Sequence, residues 1–287
     1  MLTLAKWVMS GPFQAFGLAA ALAIVPGFGW ASGAVVALVA LRKNLSDALV
    51  PLAGALLVAF LVHWQAADFS QAGLVIAALA GALVLVASRS LGLAILAASG
   101  VSGLFTALMV NMAPGKVEQL VQLYQPMFDA WVEEFKKRGE QGVFDSLNVR
   151  TVVIEATAMI TAIAANVALI VARWWQARLY NPGGFRAEFH SLRLTPVITG
   201  VVLLVILICQ QYPDARVLLP GAVLPLLLAG LALVHGLLGR KPNNGPLLAF
   251  FYVGLVLSSG LGVLVLIVAA VMDSFIDFRN RIQKRYE

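Results

Sequence analysis

The sequence predicts an all-α, polytopic membrane protein, and three observations lead to this fold class. Of the 287 residues, 61% are hydrophobic and only 12% are charged, whereas soluble proteins carry about 25% charged residues. The mean hydropathy is +0.90. The charged residues are gathered in gaps between apolar runs that approach the length of a membrane-spanning helix. We therefore treat residues 1–287 as a single integral-membrane domain.

Six apolar runs are long enough to be complete transmembrane helices: 45–64, 70–87, 90–113, 149–172, 195–211 and 217–239. Two further apolar regions, 11–41 and 246–272, flank them and are interrupted, at Pro26-Gly27-Phe28-Gly29 and at Ser258-Ser259-Gly260-Leu261-Gly262. Each half has about 13 residues, or about 20 Å of helix, which is shorter than a 30 Å bilayer core. Such breaks belong inside a bundle or beside a cavity. Each region is either one kinked helix or a broken hairpin.

Basic residues predict the orientation of the chain. They fall at alternate ends of the six spans, at Arg42-Lys43, Arg89, Arg173, Arg178, Arg186, Arg193 and Arg240-Lys241. The positive-inside rule makes these ends cytoplasmic. The tail, with Arg279, Arg281, Lys284 and Arg285, is expected to be cytoplasmic too, which agrees with a broken hairpin at 246–272 and conflicts with a single span there. The first residues lack a signal-cleavage site, so we expect the N-terminus to be retained and cytoplasmic.

The insert 114–148 is expected on the non-cytoplasmic side, since it holds six acidic residues against four basic ones. Its apolar residues recur at intervals of three and four, which is typical of an amphipathic helix, or of two that meet at Pro126. The insert is predicted to lie along the membrane surface or to cap the bundle. A lid over an outward-opening site is a compatible alternative.

One charged residue, Glu155, lies inside a predicted span, where charges commonly mark functional sites. Thr151 and Asn166 lie near the same face of that helix, and Asn111 lies near the end of the run 90–113. These four residues are the candidates for a ligand or ion site. The alternative is a structural role, in hydrogen bonds between helices.

Several kinds of chemistry are not expected. Cys209 is the only cysteine, and the three histidines, His63, His190 and His235, lack the spacing of metal ligands. The sequence holds no phosphate-binding loop, dinucleotide fingerprint or catalytic triad in a suitable context. We therefore expect no metal, no cofactor and no enzymatic activity. The net charge of +6 is assigned to membrane orientation, not to binding of nucleic acid.

The loop 173–194 lies between two long apolar runs and combines several basic residues with an Asn-Pro-Gly-Gly turn. Asn181-Pro182-Gly183-Gly184 should end the preceding helix, because proline cannot continue it and glycine accepts a left-handed exit. A short interfacial helix then begins at Phe185, with Phe185, Phe189 and Leu192 on one stripe, and with the basic residues on the neighbouring stripe: Arg186, His190 and Arg193. This helix is either an anchor on lipid headgroups or a docking surface for an acidic or phosphate-bearing partner.

Three stretches carry a family resemblance. RWWQARLYNPGGFRAEFHSLRL, GLALVHGLLGRK and MDSFIDFRNR resemble the YybS-like family of bacterial inner-membrane proteins, whose function is obscure. The resemblance implies a multi-pass protein of the bacterial inner membrane. The architecture is also distantly similar to the S components of energy-coupling-factor transporters, in which an alanine row on the first helix meets the coupling subunit. Ala15, Ala19 and Ala23 match that row, and rows of small residues favour close helix contacts.

Two functions are expected on these grounds. The first is a substrate-binding subunit of a small-molecule importer, which would need an energising or coupling membrane subunit because the chain has no ATP-binding motif. The second is a membrane scaffold or assembly factor that recruits partners through the basic loop 173–194. A self-contained transporter or an intramembrane enzyme is a third interpretation. The lipid bilayer is a partner in every case.

Overall fold

The computed structural model describes residues 2–25, 27–139, 148–239, 244–258 and 260–279. The expectations for Pro26, Ser259, residues 140–147, Arg240-Lys241 and residues 280–287 fall outside these ranges. The described residues form α-helices joined by short turns, which confirms the all-α class. The helices are α1 (Leu2–Met9), α2 (Pro12–Ile24), α3 (Gly29–Arg42), α4 (Leu45–Val58), α5 (Ser70–Ser88), α6 (Leu91–Met112), α7 (Pro114–Lys137), α8 (Val149–Tyr180), α9 (Gly184–His190), α10 (Pro196–Gln211), α11 (Leu219–Leu238), α12 (Gly245–Leu257) and α13 (Gly260–Ile276).

Among the described residues, five helices are long and apolar enough to cross a membrane. They are Leu45–His63, in which a π-helical turn extends α4; Ser70–Ser88; Leu91–Met112; Val149–Tyr180; and Pro213–Leu238, in which a 3-10 turn precedes α11. The protein is therefore a polytopic membrane protein. The sixth expected span, 195–211, is the shorter helix α10 of 16 residues, or about 24 Å at 1.5 Å per residue, because Pro213 starts a new turn close behind it.

Helix α3 lies at the centre of the bundle. Every residue from Ala31 to Leu41 is buried, and α2, α4, α5 and α8 all pack against it. The absence of a side chain at Gly33 brings α8 close, since a Cβ atom there would lie 3.0 Å from the Cβ atom of Ala168. A helix that is apolar all round is suited to such a position.

The first interrupted region is two helices that lie side by side. Ser32, near the start of α3, donates a hydrogen bond to the carbonyl oxygen of Ala19 in α2, at 2.7 Å. The expectation of a break is thus confirmed, and the alternative of one kinked helix is wrong. The break also borders a cavity of about 790 Å³, as expected. It is lined by residues of α2, α3, α5 and α8 and of the segments that join α2 to α3 and α4 to α5. We call it the break cavity.

The last apolar region is broken as well, because the axes of α12 and α13 differ by 119°. The end of α13 reaches the loop that follows α9, where Asp277 pairs with Arg193 at 2.7 Å. Arg193 in turn lies near the start of α6, as a Cβ atom on Gly92 would be 3.4 Å from its carbonyl oxygen. We call this end of the bundle the arginine-rich end, and the end that carries α7 the insert end.

The described part of the insert contains one amphipathic helix, α7, which continues through Pro126. Its first half packs on α8 and the neighbouring turn, with Val117, Leu120 and Val121 buried. In its second half, Met127 and Trp131 remain exposed, as expected of a helix that lies along a membrane surface. The helix contributes no residue to the lining of the break cavity, so α7 is not its lid.

Candidate functional site

A basic pocket of about 660 Å³ opens at the arginine-rich end. Its lining comes from α9 and the following loop, from the end of α11 and from the end of α13: Gly183, Arg186, Ala187, His190, Ser191, Arg193, Gly236, Gly239, Asp277 and Arg279. These segments belong to three separate stretches of the sequence, 173–194, 230–241 and 272–281. Segments far apart in the chain thus converge on one site.

The turn between α8 and α9 shapes one wall of the pocket. Asn181 ends α8, and its N–H donates to the carbonyl oxygen of Ala177. Gly183 has a φ of 89°, the left-handed conformation that glycine adopts most readily. Gly184 lies in α9 with an ordinary backbone, so Gly183 alone provides the expected left-handed exit after Pro182.

The short helix α9 is held on the bundle by its other side. The rings of Phe185 and Phe189 stack with centroids 5.8 Å apart, and Leu192 is buried. The Nε atom of Arg173 lies 2.7 Å from a carboxylate oxygen of Glu188. The apolar stripe predicted for this helix is confirmed, and the basic stripe beside it faces the pocket.

Glycines on α11 permit the approach of α9. A Cβ atom on Gly236 would lie 2.7 Å from the carbonyl oxygen of His190, and one on Gly239 would lie 3.0 Å from the Nδ1 atom of the same histidine. Beside them, the ring of His235 meets the ring of Phe189 edge-on at 5.7 Å. The pocket wall therefore depends on the absence of a side chain at Gly236 and Gly239.

Ion pairs connect the end of α13 to the loop after α9. Besides the pair between Arg193 and Asp277, the Nη2 atom of Arg279 donates to the carbonyl oxygen of Leu192 at 2.8 Å and lies 3.7 Å from a carboxylate oxygen of Asp273. The other carboxylate oxygen of Asp273 accepts from the N–H of Phe278 at 2.9 Å. These bonds fix two guanidinium groups in the pocket wall.

Arg186 and His190 are the groups most available to a ligand. Arg186 is exposed, and its Nη2 atom donates to the carbonyl oxygen of Gly239 at 3.1 Å. Within the described ranges, no carboxylate lies at ion-pair distance from it. Burial, together with the nearby charges of Arg186 and Arg279, lowers the pKa of His190. At neutral pH its imidazole is therefore mainly uncharged, and a bound anion would favour its protonation.

The pocket suits an oxyanion. Three guanidinium groups and one carboxylate line it. The side chains that line the pocket therefore carry a net positive charge. Guanidinium groups bind phosphate oxygens in pairs, through parallel N–H donors. The volume exceeds that of a single phosphate ion, which leaves space for an attached organic group.

The structure does not bring all four candidate residues inside the spans together. Asn166 is buried and donates to the Oγ atom of Ser99 at 2.8 Å, which is a structural hydrogen bond between α6 and α8. Glu155 lies eleven positions earlier in α8, or about 16 Å along the helix, on the same helix as Thr151. Asn111 is exposed and donates to a carbonyl oxygen of its own helix, that of Ala107. Arg150, which precedes Glu155 in α8, pairs with Glu118 of α7 at 3.3 Å.

The alanine row requires a correction. Ala15, Ala19 and Ala23 have at most 2% of their surface exposed, because this face of α2 packs within the chain. A Cβ atom on Gly54 of α4 would lie 2.7 Å from the carbonyl oxygen of Phe16, which shows how closely these helices approach. The row is therefore not available to a coupling subunit. The pattern of small residues correctly indicated a close helix contact but not the partner.

Two further groups of the site were not singled out from the sequence. Asp273 is almost completely buried. The feature of the sequence that could have identified it is an acidic residue at the end of an apolar run. Gly236 could not be identified in advance, because the sequence is rich in glycine.

Comparison with protein-family models, with curated proteins and with solved structures found no match.

Proposed function

We propose that this chain is a membrane scaffold whose arginine-rich end recruits a phosphate-bearing group through the basic pocket. The observation that supports the proposal is the convergence of three distant stretches on a pocket with three guanidinium groups and one carboxylate. A simple headgroup anchor would not need such convergence, since exposed bases on one helix attract anionic lipids as point charges.

The division of roles among the basic residues supports a built binding site. Arg193 and Arg279 are held by Asp277 and by the carbonyl oxygen of Leu192, so their orientation is set before a ligand binds. Preorganised donors bind more tightly, because less conformational freedom is lost on binding. Arg186 donates to the carbonyl oxygen of Gly239 and pairs with no carboxylate of the described residues, so its side chain can turn toward a ligand.

Glycerol 3-phosphate is expected to bind to the purified protein in phosphatidylcholine nanodiscs, and glycerol is not. The reason is that only the phosphate matches the guanidinium donors. Isothermal titration calorimetry measures the binding, with empty nanodiscs as the control. If glycerol 3-phosphate gives no more heat than glycerol, the proposal is wrong.

The source of the phosphate is distinguished by repeating the titration with phosphatidic acid in the nanodiscs. If a lipid headgroup is the natural ligand, phosphatidic acid should compete and remove the binding of glycerol 3-phosphate. If a soluble phosphate ester is the ligand, its affinity should change little. Either result identifies the source while keeping the phosphate site.

We further propose that the protein is a member of the YybS-like family, lies in the bacterial inner membrane and has both termini and the arginine-rich end in the cytoplasm. The distribution of bases supports this orientation. Gln65, in the loop between α4 and α5, and Ala187 of α9 are both exposed, so a cysteine at either position can be reached by a labelling reagent.

Cysteines that replace Gln65 and Ala187 should therefore react differently with a membrane-impermeant thiol reagent. We expect Gln65→Cys to be labelled on intact cells and Ala187→Cys only after the cells are opened. The background chain carries Cys209→Ser, which removes the one native thiol. Labelling of position 187 on intact cells would reverse the orientation.

A second candidate function, a substrate-binding subunit of a small-molecule importer, is favoured by the break cavity. This cavity lies near the insert end and borders the loop that contains Asp68. An importer would bind its substrate there and release it with the help of an energising subunit. Uptake of a bound substrate by cells, lost on deletion of the gene, would support this role.

A further inference from the structure

His190 lies in the basic pocket at a position that a ligand can reach. It is the last residue of α9, one turn after Arg186, and it belongs to the pocket lining. Neither ring nitrogen has a hydrogen-bond partner among the described residues, yet neither is a buried polar atom without a partner. Both nitrogens are therefore exposed to the pocket or to solvent.

The charged and titratable groups around His190 come from α9, the loop after it, α11 and the end of α13. They are Arg186, Glu188, Arg193, His235, Asp273, Asp277 and Arg279. Glu188 is engaged by Arg173 on the other side of α9. The ring of His235 lies 6.4 Å from that of His190, but its Nε2 atom lies 2.7 Å from the hydroxyl oxygen of Tyr252 in α12. His235 does not line the pocket, so His190 is the histidine that a ligand meets.

Two of the three arginines in the pocket lining are opposed by a carboxylate. Arg193 pairs with Asp277 at 2.7 Å, and Arg279 lies 3.7 Å from a carboxylate oxygen of Asp273. The third, Arg186, donates to a carbonyl oxygen and pairs with no carboxylate of the described residues. The described side chains therefore offer a ligand one positive charge that no carboxylate opposes.

Phosphate groups differ in charge according to their class. A phosphodiester carries one negative charge, whereas a monoester carries close to two at neutral pH, because its second pKa is about 6. While His190 is uncharged, the pocket matches the single charge of a diester. A dianion calls for a second positive charge beside Arg186, and the imidazole one turn away is the titratable group placed to supply it.

The surroundings of His190 keep it uncharged until an anion is present. Burial lowers the pKa of its imidazole, and the nearby charges of Arg186, His235 and Arg279 lower it further. A dianion in the pocket acts in the opposite direction, because an opposite charge within about 4–6 Å favours the charged form. Anion binding and protonation are therefore linked, and each strengthens the other by the same factor.

We propose that the basic pocket selects phosphate monoesters over phosphodiesters, and that His190 takes up a proton from the solvent when the monoester binds. This inference rests on the proposed function of the pocket and names its ligand class. It holds for phosphatidic acid in the bilayer and for a soluble monoester alike, since both present the same dianionic group. The phosphodiester headgroups of other anionic lipids are the ligands that the pocket disfavours.

Dianion binding should tighten as the pH falls. The pKa of His190 is lower in the free protein than in the complex, so the added affinity is fully present below the free-state pKa. It is lost as the pH rises through the pKa of the complex. Sulfate is the probe for this effect, because it stays a dianion in weak acid, whereas a phosphate monoester itself gains a proton near about pH 6.

Calorimetry of the full chain in phosphatidylcholine nanodiscs, with empty nanodiscs as the control, measures the pH dependence. The affinity for sulfate should rise about five- to tenfold between about pH 8 and about pH 6, the range in which histidine titrates. The affinity for methyl sulfate, the monoanion of the same group, should rise by about twofold or less. Repeating the titration in buffers of different ionisation enthalpy should reveal proton uptake with sulfate.

Variants of histidine identify the group that takes up the proton. His190→Gln removes the titratable ring from the pocket, so sulfate should bind with similar affinity at both pH values and without proton uptake. The matched control is His63→Gln, which removes a histidine at the insert end and should keep the pH dependence. Proton uptake that persists in His190→Gln and disappears in His235→Gln would place the proton on His235 and overturn the assignment. If His190→Gln does not fold, the comparison of sulfate with methyl sulfate in the unmodified protein decides the matter, since an equal pH dependence of the two contradicts the proposal.

The selection between ligand classes is measured with methyl phosphate and dimethyl phosphate at about pH 7. Methyl phosphate should bind at least about tenfold more tightly, because its second charge meets a second positive charge at short range. Equal affinities, or sulfate binding that does not depend on pH, would overturn this inference while the phosphate site remains. If neither glycerol 3-phosphate nor sulfate binds at any pH, the proposed function of the pocket is wrong as well.

Discussion

Replacement of Arg186 and Arg193 by lysine is expected to weaken the binding of glycerol 3-phosphate by about tenfold or more, which corresponds to about 1.4 kcal/mol. Lysine keeps the charge but presents a compact ammonium group, so it cannot form the paired N–H bonds of a guanidinium group. The double variant should still fold. A lysine at position 193 can keep an ion pair with Asp277, which now lies 2.7 Å from Arg193.

Calorimetry in nanodiscs measures this effect, and thermal unfolding of the same samples measures folding. The matched control is Arg178→Lys, because Arg178 is an exposed arginine near the end of α8 that is not part of the pocket lining. It should bind like the unmodified protein. If the double lysine variant also binds normally, a point charge is sufficient, and the loop is an anchor on headgroups instead of a docking site.

Gly230→Ala is expected to destabilise the protein by about 1–3 kcal/mol, the usual cost of forcing extra atoms into a packed interior. The added Cβ atom would collide with the carbonyl oxygen of Leu266 and would lie 2.9 Å from its carbonyl carbon. Both are backbone atoms of α13, so no side-chain rotation relieves the contact and α13 has to move. Since α13 carries Asp277 and Arg279 to the basic pocket, binding of glycerol 3-phosphate should fall too.

The control for this variant is Gly254→Ala in α12, where a Cβ atom meets no other atom within 4 Å. Alanine there should leave stability unchanged or raise it slightly, because alanine favours the helix more than glycine does. Thermal unfolding in detergent ranks the two variants. Equal stability of Gly230→Ala and Gly254→Ala would show that α13 does not pack on α11 through Gly230.

The structure of the loop 173–194 could be predicted in detail because it depends on interactions between residues that are close in the sequence. The stop after Tyr180, the left-handed Gly183 and the two stripes of α9 follow from helix geometry and from the residues next to them. The convergence of α9 with α11 and α13 is not local. It depends on backbone approaches such as that of Gly236 to His190, which leave no periodic mark in the sequence.

The spans could be predicted as apolar runs, but the helices that each span contacts could not. Lipid and protein interiors are both apolar, so hydropathy does not distinguish the buried helix α3 from a lipid-facing one. The same ambiguity placed Ala15, Ala19 and Ala23 at an external interface, while the structure buries them.

The polar residues in the spans were predicted with unequal success. Glu155 drew attention because it is charged, but the structure shows no site around it together with Asn166 and Asn111. Gln71, uncharged and near the start of a span, was not singled out. Its buried side chain lies against Gly29, which follows the break between α2 and α3, about forty residues earlier in the chain, and comes close only in the folded bundle.

The central position of α3 has a consequence for how the chain is made. Three of the helices that cover it, α4, α5 and α8, follow it in the chain, and α8 is synthesised only after α4 to α7. Until then, the faces of α3 that later lie in the protein interior are in contact with lipid. The segment from Ala31 to Leu41, which contains no charged residue, is compatible with both surroundings, first lipid and later protein. The helix at the centre of the bundle is thus inserted among the first and enclosed among the last, and a nascent chain that stops before Val149 cannot complete its core.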